Sequence, residues 1–150
     1  MSTSRRHSRR AEIESRDPSA HAVGSVLTVD DQAFFRTVLR QLVSATSSLA
    51  FVGEADSGEQ AVELVRELRP DVVLIDVRMP GLGGIGATHH IKALRSGTVV
   101  VLISTARREE LPPEAEECPA DEIVWKSDLS PELLDDIWGR RGGQARRGAC

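Results

Sequence analysis

From Val23 onward, short apolar runs alternate with longer stretches in which apolar residues recur every three or four positions. The runs are SVLTV (25–29), AFVGEA (50–55), DVVLID (71–76), TVVVLIS (98–104) and EIVW (122–125). Their length and their β-branched content predict five strands. Between them, Phe34, Phe35, Val38, Leu39, Leu42 and Val43 fall on one helical stripe, and Ala61, Val62, Leu64, Val65 and Leu68 on another. Each such helix can cover a sheet face. A third helix is expected over about 84–94, less sharply patterned because His89 and His90 share it with Ile85, Ile91 and Leu94. After the fourth strand, Pro112 and Pro113 directly follow RREEL, so a short or displaced element is expected there. The last helix should start with Ser130 as N-cap and Pro131 in its first turn. It should place Leu133, Leu134, Ile137 and Trp138 on one side and stop at Gly139. Strands and helices in strict alternation predict an α/β fold, a doubly wound five-stranded parallel sheet. No internal repeat is visible.

Composition changes this picture only at the ends. With 40% hydrophobic and 28% charged residues in 150, the chain suits one soluble globular domain, and the scarcity of aromatic residues implies an aliphatic core. Residues 1–22 are rich in Ser and Arg and nearly free of large apolar side chains, so a disordered basic arm is expected. Residues 140–150 (RRGGQARRGAC) read as a disordered basic tail, leaving 23–139 as the domain. The net charge of -4 therefore hides an acidic middle between basic ends. An acidic middle disfavours non-specific DNA binding by the fold itself; the ends are either solvated tails or contacts for nucleic acid or an acidic protein surface. No stretch approaches the roughly 20 apolar residues of a membrane span, and 1–22 lacks an apolar centre for a signal peptide, so no membrane contact and a cytoplasmic location are expected. Cys118 and Cys150 have no metal-ligand spacing and are expected to be reduced thiols.

In a parallel α/β sheet, ligands gather at the carboxyl ends of the strands. The first run ends in Asp30 and Asp31, the third in Asp76, the fourth in Ser104 and Thr105, and the fifth in Lys126. Gathered carboxylates repel without a cation, and hard oxygen ligands suit Mg²⁺. Mg²⁺ and Lys126 would supply the positive charge that phosphoryl transfer needs, a hydroxyl a hydrogen bond, and Asp76 the nucleophile. The plainer alternative is that these aspartates only cap helices, as Asp31 could for the helix carrying Phe34 and Phe35.

VLTVDD, VVLIDVRMPG, LIST and the lysine of VWK resemble the motifs of response-regulator receiver domains, a CheY-like, flavodoxin-like family. The resemblance spans about residues 25–139 and implies a strand order of 2-1-3-4-5. It implies that Asp30, Asp31 and Asp76 hold Mg²⁺ together with the backbone carbonyl of Arg78. It implies further that Asp76 takes a phosphoryl group from the phosphohistidine of a sensor histidine kinase or phosphotransfer protein, and that water later hydrolyses the acyl phosphate. By spacing, Ser104 matches the family's phosphate-contacting hydroxyl, with Thr105 as the fallback, and Lys126 its lysine. The protein would then be a switch and not an enzyme, changing its grip on a downstream protein partner, with a homodimer as a further option.

The sequence also departs from the family pattern. An aromatic residue usually stands three positions before the lysine, where this chain has Ile123; Trp125 precedes Lys126 directly and Tyr is absent. A switch would then rely on loop movement or on repacking of Ile123. GLGGIG (81–86) satisfies G-x-G-x-x-G, but Met79 and Pro80 lengthen the turn and VLISTARR carries no acidic residue for a ribose. It is expected to be a flexible loop entering the third helix. His89 and His90 are expected to face solvent, as are Arg107, Arg108, Glu109 and Glu110. So few residues follow Gly139 that no helix-turn-helix fits there, so a stand-alone receiver is expected, without direct DNA binding. A truncated DNA-binding response regulator and a phosphorylation-independent interaction module remain the alternatives.

Overall fold

A computed structural model describes residues 23–142 of the protein. The elements follow the alternation of the sequence: β1 (Gly24–Val29), α1 (Ala33–Ser44), β2 (Leu49–Ala55), α2 (Gly58–Leu68), β3 (Val72–Asp76), α3 (Gly83–Leu94), β4 (Val99–Ser104), β5 (Glu122–Trp125) and α4 (Pro131–Ile137). All strand pairs are parallel, and the order is β2-β1-β3-β4-β5, as expected.

Alternation of side chains along the strands separates the core into two layers. Val26, Leu74, Val101, Ile103 and Val124 pack with Leu39 and Val43 of α1 and with Leu134, Ile137 and Trp138 at the end of the chain's helical run. Leu27, Val29, Val73, Ile75, Val100 and Leu102 pack on the other face with Ala61, Val62 and Val65 of α2 and Ala87 and Ile91 of α3. Central β3 is buried along its whole length, the condition of a parallel strand covered on both faces. The stripes are narrower than the pattern suggested: Phe34 is 80% exposed and Leu68 is 40% exposed.

Where the two prolines predicted a short element, two 3₁₀ turns stand, Arg108–Glu110 and Pro113–Ala115. Half-buried Leu111, Cys118 and Ala120 cover that part of the second core layer. Among the described residues, Cys118 has no disulfide partner. The last helix begins as expected, with Ser130 Oγ accepting from the Leu133 N–H at 3.1 Å and Pro131 in the first turn. It does not stop at Gly139. A π-turn, Trp138–Gly142, carries it on. Arg141 donates twice to Glu122, at 2.8 and 2.5 Å, while Arg140 reaches Asp136 at 3.0 Å. Buried Gly142 lies so close to the Trp138 ring that a side chain would collide with it. The helical end is thus corrected to residue 142, and Arg140 and Arg141 are ion-paired rather than part of a tail. The arm 1–22, the remaining tail 143–150 and Cys150 lie outside the described residues. Among the described residues, no helix is long and apolar enough to cross a membrane.

Candidate functional site

Asp30 sits where β1 ends, and its side chain is completely buried. Asp30 Oδ1 accepts the Gln32 N–H at 2.8 Å, while its backbone carbonyl accepts Arg36 Nη1 at 2.8 Å. Arg36 is itself braced by Glu54 of β2 at 3.2 Å. The loop between β1 and α1 is therefore clamped from two sides. Asp31 does not cap α1: the cap position is Gln32, and no side chain accepts a bond there. Asp31 faces solvent, with an oxygen near those of Asp30 and Asp76. The capping alternative fails because the acidic pair ends one residue too early.

Asp76 closes β3, opposite Ile103 of β4. Its pKa is pushed up to about 6, first by burial. Lys126 opposes that rise, Asp30 and Asp31 add to it, and a backbone N–H from Arg78 lowers it. Lys126 follows β5 and points back across the strand ends, its Nζ 3.3 Å from Asp30 Oδ2 and 3.8 Å from Asp76 Oδ2. Both are ion-pair separations rather than good hydrogen bonds. Asp30 Oδ2 consequently accepts no hydrogen bond although it is buried.

That unfilled oxygen tests whether a metal suits the site. An anionic oxygen without a donor is costly in a protein interior. Asp30, Asp31 and Asp76 each bring a carboxylate oxygen to within 4.8 Å of the others. Three hard carboxylate donors, one of them with a buried oxygen that accepts no hydrogen bond, fit Mg²⁺. Arg78 is beside the cluster through its backbone, with its side chain exposed.

Ser104 is buried at the end of β4, and its hydroxyl is engaged with Ala106: it accepts the Ala106 N–H at 3.0 Å and donates to the Ala106 carbonyl at 3.1 Å. The Thr105 side chain is exposed, and its carbonyl accepts the Trp125 indole N–H at 2.8 Å. Arg107, Glu109 and Glu110 are exposed, as expected, and the Arg107 guanidinium lies 5.2 Å from the centre of the Trp125 ring. Ile123 packs into the second core layer, and exposed Trp125 ties down the loop after β4.

The glycine-rich segment has a structural role that the sequence reading missed. Gly81 and Gly83 adopt φ of 75° and 72°, a region favouring glycine. A Cβ on Gly84 would collide with the Asp76 carbonyl and come within 2.9 Å of Val77 Cα. Only a glycine lets α3 start against the end of β3, so the segment is a tight turn at Gly81 and Leu82 running into the first turn of α3, packed behind Asp76, rather than a flexible loop. Two neighbours were also missed, Arg36 on the Asp30 carbonyl and Phe35 against Lys126. The pattern did place Phe35 on the helix after the acidic pair. His89 and His90 are exposed, as expected.

A family model described as the response regulator receiver domain matches residues 26–137. The chain is 40% identical over 126 residues to a protein-glutamate methylesterase/protein-glutamine glutaminase of Myxococcus xanthus, a match covering 83% of this chain and 36% of that protein. It is 35% identical over 112 residues to the chemotaxis protein CheY of Halobacterium salinarum, covering 75% of this chain and 92% of that one. The crystal structure of the response regulator domain of Thermotoga maritima CheB superposes with a TM-score of 0.66 at 36% identity, covering 77% of this chain and 93% of that domain. The chain spans between 36% and 52% of the length of several of the curated relatives it matches.

Proposed function

The chain belongs to the response regulator receiver domain family, and from that premise we propose that Asp76 accepts a phosphoryl group from a histidine kinase or phosphotransfer protein in a Mg²⁺-dependent step that switches the binding of a downstream protein. The observation that carries this reading is the placement of Asp76, buried at a strand end with Lys126 on one side and Asp30 and Asp31 on the other. Burial leaves the carboxylate poorly solvated, yet with a pKa of about 6 it is ionised at neutral pH and can act as a nucleophile. An Asp76 oxygen forms the new O–P bond as the P–N bond to the donor imidazole breaks, its electron pair leaving on that nitrogen.

Asp30, Asp31 and Asp76, with the Arg78 carbonyl, are the proposed holders of Mg²⁺. When bound, the ion would supply positive charge to the phosphoryl oxygens. Lys126 approaches from the side of β5 and can hold a second part of the same charge. Ser104 is the proposed hydroxyl donor and Thr105 the fallback, because Ser104 is buried at the strand end while the Thr105 side chain is exposed. To donate to a phosphoryl oxygen, the Ser104 hydroxyl must release the Ala106 carbonyl. Since the next carbonyl, that of Thr105, holds Trp125, a shift of this loop disturbs the exposed end of β5. A partner bound there would sense the change.

Intact mass spectrometry after incubation with Mg²⁺ and a small acyl phosphate tests the central claim. A phosphate adduct is expected on the wild type and not on Asp76→Asn. If the wild type gains no adduct from acyl phosphate or from a panel of histidine kinases, the proposal fails and the phosphorylation-independent interaction module takes its place.

A further inference from the structure

We propose that Phe35 is a positioning residue of this site, its ring holding the Lys126 ammonium toward the place where a phosphoryl group would sit without neutralising it. The inference rests on the phosphoacceptor reading above and adds a residue to it. Phe35 lies on the first turn of α1, with part of its side chain packed against the core layer that α1 and α4 share. Its ring centre is 3.9 Å from Lys126 Nζ. Phe34, one position earlier, is 80% exposed, so the two adjacent aromatics have separate environments.

The Lys126 side chain is only 14% exposed, and its other charged neighbours are the carboxylates of Asp30 and Asp76. Those carboxylates are the groups that a divalent cation would engage. Once their charge is shared with a metal, their pull on the ammonium weakens. The face of an aromatic ring attracts a cation through its quadrupole, and that attraction is unaffected by what binds the carboxylates. A ring also leaves the full positive charge available to an incoming anion, whereas a third carboxylate in its place would compete with the phosphoryl oxygens. Partly packed against the core, the ring restricts the long lysine side chain before the anion arrives, which reduces the ordering required on binding.

The test measures binding of beryllofluoride, a mimic of the phosphoryl group, to the full chain at saturating Mg²⁺ by calorimetry. Phe35→Leu keeps apolar packing and removes the ring; it should raise the half-saturating concentration by about three- to tenfold, the range of a partly desolvated cation–ring contact. Phe35→Trp, with the stronger ring, should bind at least as well as the wild type. In a Lys126→Ala background, Phe35→Leu should cause no further loss, because the contact has already been removed. Mg²⁺ affinity without beryllofluoride should change by less than about twofold in Phe35→Leu, since the ring offers the ion no ligand atom. A full loss on Phe35→Leu that persists in the Lys126→Ala background overturns the positioning role and makes Phe35 merely structural. Unchanged binding in Phe35→Leu overturns it as well, while leaving the phosphoacceptor reading intact if the wild type binds the mimic. Failure of the wild type to bind the mimic overturns both.

Discussion

Replacing Asp76 by Asn should make the metal-free protein more stable at neutral pH, although it removes the central group of the site. The folded protein holds this carboxyl at a pKa of about 6, against an ordinary value of 3.8, mainly because burial disfavours its charge. A raised folded pKa means that the folded state binds the proton more tightly than the unfolded state. The ionised form therefore lowers stability, fully above pH 6 and hardly at all below the ordinary carboxyl range. A shift of about two units corresponds to roughly 3 kcal/mol. Asparagine relieves that cost but deprives Lys126 of one of its two anions, so the expected net gain is about 1–3 kcal/mol at pH 7.5. In a domain of this size that is a rise in Tm of about 3–10 °C. The same linkage leaves only about 0.5 kcal/mol of the burial cost at pH 4. Urea unfolding of both proteins in chelator at the two pH values measures the difference directly. An equal gain at both pH values, or a less stable variant at pH 7.5, would refute the argument that burial of the charge is what perturbs Asp76.

Two further outcomes follow from the same geometry. Mg²⁺ should stabilise the wild type at pH 7.5, by about 2.7 kcal/mol at a hundredfold excess over its Kd, and Asp30→Asn should abolish most of that rise in a thermal melt. Gly84→Ala should destabilise the fold by about 2–3 kcal/mol, because the added methyl meets the Asp76 backbone; Gly86→Ala, whose methyl meets only flexible Leu82 atoms, should cost far less in the same urea titration.

The five strands, the helices between them and the sheet edge that carries the candidate site were legible in the residue pattern. Side-chain period is a local property of each element, and a carboxylate that ends an apolar run lies at the end of a strand whatever packs around it. Asp30, Asp31, Asp76, Ser104 and Lys126 were legible for that reason. The prolines that break the segment after β4 and the Ser130 cap were legible too, being local chemistry. Contacts between elements emerged only with the fold. It set Phe35 against Lys126, Arg36 on the Asp30 carbonyl and Trp125 on the Thr105 carbonyl, pairs whose members come from different elements or loops. It packed GLGGIG tightly as the turn into α3 and the start of that helix, because the demand for glycine at position 84 comes from the neighbouring β3 backbone. It also carried the last helix past Gly139, where local propensity marked a stop but ion pairs to Glu122 and packing on Trp138 outweighed it. Propensity and period act within a few residues along the chain, whereas burial and charge pairing act between residues that meet only when the sheet has formed.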